Sequence, residues 1–191
     1  INPEKNNSQG LPMPNIDIAI IKEGKVATNL ELGEICVSSP SVMNGYFDSA
    51  SPHFSTIDGK SYLHTGDVGY LDDEGYLYIK DRLKRIVIIG GINIFPQEVE
   101  SLIASIEGVN GVCIARYLDN GKARTKAYIE LKSGMILNAK LQTLIADVVQ
   151  KNIMKYAVPS NFEQVDSIKL NKMGKVDFSY YENLLKNEQI S

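Results

Sequence analysis

Four short stretches of this chain carry residue types that could do chemistry. Gly174-Lys175, within Leu170-Asn171-Lys172-Met173-Gly174-Lys175-Val176-Asp177, puts an ammonium on a flexible stem directly after a glycine. A lysine presented in this way is a compact point charge that can reach a phosphate or carboxylate oxygen on which charge develops. The stretch is not a P-loop, because the earlier glycine and the Ser/Thr after the lysine are missing. Asp67, within Tyr62-Leu63-His64-Thr65-Gly66-Asp67-Val68-Gly69, follows a glycine that permits a tight turn. Its carboxylate could accept two hydrogen bonds from a vicinal diol such as the hydroxyls of a ribose. Arg82, within Asp81-Arg82-Leu83-Lys84-Arg85, offers a forked donor suited to phosphate or ribose oxygens. Gly90-Gly91 allows a backbone turn that a narrow ligand could approach closely. Taken singly, each stretch also has a plain structural reading. Thr-Gly-Asp and Gly-Gly are compatible with turns, the charged run with a solvated linker too short for a nucleic-acid patch, and Gly-Lys with a surface loop.

The elements that must hold these residues follow from the hydrophobic pattern. Ile16–Ile21 alternates and then runs apolar, as a strand does, and Gly33–Val37 reads as a second strand. Lys22–Leu32 between them is a polar loop, and Ser38–Lys60, rich in Ser, Pro and Gly, runs over the surface. Two short strands, Gly69–Leu71 and Gly75–Ile79, are joined at Asp72-Asp73-Glu74-Gly75. An apolar strand, Ile86–Ile89, follows the charged run, and Pro96 suits the first position of a helix. That helix buries Val99, Leu102, Ile103 and Ile106. Gly111–Leu118 and Arg124–Leu131 are strands turning at Asp119-Asn120-Gly121. Asn138 caps a helix with Leu141, Leu144, Ile145 and Val148 on its buried face. A strand at Phe162–Val165, a loop at 171–175 and a helix at Ser179–Lys186 close the chain. The implied fold class is α+β: a small domain with helices packed on one face of a sheet, preceded by a β-rich segment.

Composition sets outer bounds. The chain has 191 residues, 43% hydrophobic and 23% charged, as in ordinary globular proteins. The formal net charge of −3 argues against general nucleic-acid binding. No apolar stretch reaches the length of about 18 residues that a bilayer span needs, and no signal peptide is expected. Cys36 and Cys113 each sit in an apolar run and read as buried thiols of a reducing compartment. His53 and His64 have no second His, Cys or carboxylate at ligand spacing, so no protein-bound metal is expected. Tyr46, Tyr70, Tyr76 and Tyr78 read as packing residues of strands. The chain opens on Ile1 and a polar lead-in, which suggests a piece of a longer protein.

In order and spacing together, these stretches resemble the adenylate-forming superfamily: acyl- and aryl-CoA ligases, luciferase-like enzymes and the adenylation domains of peptide synthetases. Gly33-Glu34-Ile35-Cys36-Val37 with Gly45-Tyr46-Phe47, the Thr65-Gly66-Asp67 segment, Asp81–Glu100 and Asn171–Asp177 carry the resemblance. It runs from about Gly10 to about Leu185 and covers the carboxyl-terminal portion of such enzymes. It implies that residues 1–80 end a large amino-terminal domain, as part of a β-barrel-like subdomain. Residues 81–85 form a hinge, and 86–191 a small mobile domain. Asp67 would bind the ribose hydroxyls of ATP, and Arg82 would sit near ribose and phosphate. Lys84 would be the hinge residue, Gly90 and Gly91 would line the route of a phosphopantetheine arm, and Lys175 would contact the substrate carboxylate and the α-phosphate. Glu98 lies in the loop after the hinge without an assigned role.

The implied activity is AMP-forming ligation of a carboxylic acid to the thiol of CoA or phosphopantetheine, in the cytoplasm, with ATP and Mg²⁺ held mainly by the missing amino-terminal domain. The 191 residues alone are then expected to be inactive. Two alternatives stay open: an amino-acid adenylation domain that loads a carrier protein, and a non-catalytic module that binds a nucleotide or pantetheine. Asp81 stands where glycine is common, and Lys84 where peptide-synthetase domains tend to have aspartate, which favours a CoA ligase. Gly174-Lys175-Val176-Asp177 resembles the peptide-synthetase form, although Phe178 replaces its usual arginine.

Overall fold

The computed structural model describes residue 5, residues 7–45 and residues 54–188. Tyr46, Phe47 and His53, and part of the loop expected over Ser38–Lys60, lie outside the described residues. The chain divides into two compact units, Ile1–Lys84 and Arg85–Ser191. No helix among the described residues is long and apolar enough to cross a membrane.

The first unit is built on a six-stranded sheet. Its strands are β1 (Asp17–Lys22), β2 (Lys25–Val26), β3 (Gly33–Ser38), β4 (Phe54–Ile57), β5 (Lys60–Leu71) and β6 (Leu77–Arg82). Every pairing in it is antiparallel, in the order β2-β1-β3-β5-β4 with β6 also on β5. Ala19, Ile20, Ile35, Cys36 and Val68 are its buried apolar residues. The segment expected as a loop at Lys22–Leu32 contains the short β2, because Glu23 (φ 51°) and Gly24 (φ 76°) form a two-residue hairpin turn.

The two short strands expected around residues 69–79 are in fact longer. β5 spans 12 residues and contains the Thr65-Gly66-Asp67 segment, while β6 starts at Leu77 and takes in Lys80-Asp81-Arg82 of the charged run. Only Leu83–Arg85 leaves the sheet, as a single 3₁₀ turn. Asp72 holds the β5–β6 connection. Its carboxylate accepts the Glu74 and Tyr76 backbone N–H groups at 3.0 and 2.9 Å and the Lys5 ammonium at 2.6 Å. Tyr70 and Tyr78 stack across the same pair of strands at 4.8 Å, as expected of packing residues.

The second unit comprises β7 (Val87–Ile89), β8 (Ile92–Ile94), α1 (Pro96–Ala104), β9 (Val109–Asp119), β10 (Lys122–Leu131), α2 (Ala139–Asn152), β11 (Asn161–Val165) and α3 (Phe178–Glu188). β11, β10 and β9 form a three-stranded sheet, with β10–β11 parallel and β9–β10 antiparallel. Asn120 (φ 48°) and Gly121 (φ 74°) turn the β9–β10 hairpin. β8 is absent from the expected order of elements: three residues after a glycine pair carry too little periodicity to announce a strand.

Successive side chains of a strand point to opposite faces. On one face of this sheet Val112, Ile114, Ala127, Ile129 and Leu131 pack with Val99 and Ile103 of α1 and Ile145 and Val149 of α2. On the other, Cys113, Ala115 and Tyr128 pack with Tyr181 and Leu185 of α3. The helices therefore cover both faces, not the one expected, because the alternate positions of β9 and β10 are apolar on both sides. Burying each such aliphatic side chain contributes about 1.5–3 kcal/mol. The stripe of α2 is also rotated from its expected position: Leu144 is exposed and Val149 is fully buried. The fold is a small α+β domain with a β-rich unit before it, as expected.

Candidate functional site

Thr65-Gly66-Asp67 is a bulge inside a strand, not the expected turn. The β3–β5 register passes from Glu34↔Val68 to Cys36↔His64, so Ile35 faces three residues of β5. Gly66 makes the bulge possible with φ +74°, a conformation that L side chains rarely adopt. The extra residues are tied down by Glu34 of β3. One of its carboxylate oxygens accepts the Gly66 N–H at 3.1 Å, and the other meets His64 Nδ1 at 2.8 Å. The far nitrogen of His64, Nε2, lies 2.6 Å from Ser55 Oγ on β4. The Thr65 hydroxyl donates to the Ile35 carbonyl at 2.8 Å and accepts the Asp67 N–H at 3.1 Å.

The bulge re-aims Asp67 toward β6. Asp67 and Arg82 are register partners on β5 and β6, and Arg82 Nη1 donates to Asp67 Oδ1 at 2.7 Å. The Asp67 side chain is 27% exposed and that of Arg82 is 61% exposed. A carboxylate with one oxygen fixed by a guanidinium is pre-oriented, and its remaining lone pairs can accept from a diol. Asp81, at 1% exposure, accepts the Arg82 backbone N–H at 2.6 Å, which anchors the strand next to the guanidinium.

Glu34, Cys36 and His64 offer ligand atoms that all lie within 4.8 Å of one another. Contrary to the expectation from spacing, His64 has companions, since strand pairing brings it to Glu34, 30 positions away in sequence. Both ring nitrogens of His64 are engaged, with Glu34 and Ser55. Burial, helped by the Glu34 charge, pushes the Cys36 thiol up to about 12. The hydrogen bonds of His64 make Glu34, His64 and Ser55 a brace beside the buried Cys36. Neither Ser55 nor the roles of Glu34 and His64 figured among the sequence-level candidates.

Lys84 is exposed and ends the first unit, within the 3₁₀ turn. Gly90 (φ 60°) and Gly91 (φ 81°) form the two-residue turn between β7 and β8, both exposed. Added Cβ atoms there would meet nothing closer than Tyr156 Cε1 at 3.9 Å, so the constraint is the backbone conformation and not space.

Lys175 stands exposed on a closed loop. Leu170 and Val176 pair across its base. Inside it, the Asn171 side-chain oxygen accepts the Met173 and Lys175 N–H groups at 2.9 and 3.1 Å, and the Asn171 N–H donates to the Lys175 carbonyl at 2.7 Å. The loop therefore presents the ammonium from a stiff backbone. Asp67 and Arg82 are joined directly within the first unit, whereas Gly90, Gly91 and Lys175 belong to the second.

No protein-family model matches the chain. It is 37% identical over 177 residues to a long-chain-fatty-acid–CoA ligase of Bacillus subtilis, covering 90% of this chain and 30% of that protein. It is 34% identical over 187 residues to a 2-succinylbenzoate–CoA ligase of the same organism, covering 97% of this chain and 37% of that protein. The solved structure of the B. subtilis o-succinylbenzoate CoA synthetase in complex with ATP and magnesium superposes with a TM-score of 0.81 at 35% identity, covering 97% of this chain and 37% of that one. The same enzyme has also been solved with its acyl-adenylate intermediate. The chain thus spans about a third of the length of the curated relatives it matches. The matched third is their carboxyl-terminal portion, and in sequence and fold the chain belongs to the adenylate-forming enzyme superfamily.

Proposed function

We propose that this chain is the carboxyl-terminal part of an ATP-dependent ligase that activates a carboxylic acid as its adenylate and passes the acyl group to the thiol of CoA. In the first half-reaction the carboxylate attacks the α-phosphate of Mg-ATP and pyrophosphate leaves. In the second, the thiol sulfur attacks the acyl carbonyl and AMP leaves. Little covalent chemistry is asked of the protein in the first step, so positioning and neutralising charge dominate. Asp67 holds the ribose hydroxyls, Arg82 fixes that carboxylate and faces the ribose and phosphate, and Lys175 neutralises charge between the carboxylate and the α-phosphate. Residues 81–85 act as a hinge between an upstream large domain, ending near residue 80, and the mobile 86–191. Lys84 carries the rotation, which withdraws Lys175 and brings in the Gly90-Gly91 turn beside the pantetheine arm.

The observation that carries this reading is the Asp67 carboxylate. It is set on a glycine-dependent bulge with one oxygen on Arg82, in a chain whose relatives are CoA ligases along nearly its whole length. Those relatives favour CoA over a carrier protein as acceptor, and substrates of this kind suit a cytoplasmic enzyme. Lys175→Ala in the intact enzyme tests the reading. Adenylation, followed by pyrophosphate release, should fall by about 10²-fold or more, the usual cost of losing one transition-state charge contact. Thioester formation from supplied acyl-adenylate should be unchanged, and equal loss in both half-reactions would refute the assignment.

A further inference from the structure

Arg85, the first residue of the second unit, carries a guanidinium that is held inside that unit. Its side chain is 13% exposed and pairs through Nη2 with Glu100 Oε1 of α1, a side chain that is 14% exposed. The same Glu100 oxygen accepts the Ile114 N–H of β9 at 2.8 Å. The ion pair is therefore fixed to a helix and to the central sheet at once. The carbon of the guanidinium lies 3.6 Å from the ring centroid of Phe178. Stacking of this kind is strongest where water is excluded, and it depends on the planar guanidinium.

Phe178 is the first residue of α3 and follows Lys175 by three positions. The backbone between them is tightly bound. The Asp177 N–H donates to the Lys169 carbonyl at 2.8 Å, and the Asp177 carboxylate accepts the Tyr180 N–H at 3.1 Å, capping α3. On the other side of the loop, the Lys169 N–H donates to the Tyr181 hydroxyl at 2.9 Å. A displacement of Phe178 is thus passed to both legs of the Lys175 loop, through the start of α3. At its other end Arg85 directly follows Lys84 in the chain.

We propose that Arg85 is a positioning residue for Lys175: by stacking on Phe178 while anchored on Glu100, it ties the exit of the hinge to the base of the lysine loop. The second unit then carries Lys175 in one fixed place as it turns. The aromatic ring at position 178, where the resemblance leads one to expect an arginine, is matched by a guanidinium supplied from position 85. This inference rests on the role given to Lys175 above.

Two variants of the intact enzyme test it. Phe178→Leu removes the stacking surface. Arg85→Lys keeps the charge near Glu100 but loses the planar face, and remains informative if Phe178→Leu does not fold. In each, the rate of adenylation should fall by about 10- to 100-fold, the range expected for a small displacement of a group that must be aligned. Thioester formation from supplied adenylate should stay within twofold in Phe178→Leu, a position outside the hinge, and should fall less than adenylation in Arg85→Lys. Phe178→Tyr, which keeps the ring, should restore adenylation. Lys175→Ala is the control. If it leaves adenylation intact, the functional reading fails. If it abolishes adenylation while Phe178→Leu and Arg85→Lys are both normal, the positioning role alone fails. Equal loss in both half-reactions, or no rescue by tyrosine, would mark Arg85 as a general stabiliser of the fold and overturn the proposal.

Discussion

Asp72 shows how much of the first unit rests on one carboxylate. It is 8% exposed. The hydrogen bond from Lys5, followed by the backbone N–H groups of Tyr76 and Glu74, holds its carboxyl below the usual carboxylate range despite burial. A carboxyl depressed in the folded state binds fewer protons there than in the unfolded chain, so stability rises with pH across the window between the two values. Its contribution is fully present above the ordinary carboxylate range, near pH 4, and is lost as pH falls through the folded value. Asp72→Asn should therefore lower the melting temperature at pH 7 and flatten the acid side of the stability–pH curve. Thermal unfolding from pH 7 down to pH 3 would measure both, and an unchanged acid slope would remove Asp72 as its source. Residue types were legible at this scale. Asp67, Arg82 and Lys175 are candidates by charge, but singly each also fits a turn, a solvated linker or a surface loop, and only the order and spacing of the stretches single them out. Their partners were not legible, because Glu34 and His64 lie 30 positions apart in sequence and meet only through strand pairing.

Elements were legible where a long period or a cap announces them. Pro96 stands at the start of α1, and Asn138 caps α2 by accepting the Leu141 N–H at 3.0 Å. Asn138→Ala leaves that donor without its side-chain partner and should cost about 1 kcal/mol of stability, with a range of about 0.5–2. Urea denaturation should show a lower midpoint with an unchanged slope, and a cost below about 0.3 kcal/mol would mean that water replaces the cap. Elements failed to announce themselves where an irregularity interrupts the period. Gly66 with φ +74° breaks the alternation of β5, so the sequence pattern there reads as a turn, with a strand only from Gly69. In α2 the true stripe runs through Leu141, Ile145 and Val149. Leu144 is as apolar as its neighbours, and only the packing against β9 and β10 decides that it faces water.

At the scale of the whole molecule the proposed function turns on Lys84. It closes the first compact unit, sits exposed in a 3₁₀ turn of three residues, and is followed directly by the anchored Arg85. Its exposed side chain and its place at the end of the first unit make it the residue proposed to take up the rotation. A hinge of this kind needs only a few residues that absorb a change in φ and ψ. Lys84→Pro locks φ near −65° and also restricts Leu83 before it. In the intact enzyme it should slow thioester formation on the order of tenfold, about 1.4 kcal/mol on the barrier, while adenylation changes less. Lys84→Ala removes the charge but keeps the rotation, so it separates the two explanations. A loss shared by both variants would assign the effect to the ammonium. A loss confined to proline, and to the thiol-transfer step, would place the motion at this residue, and normal thiol transfer in Lys84→Pro would move the hinge elsewhere in residues 81–85.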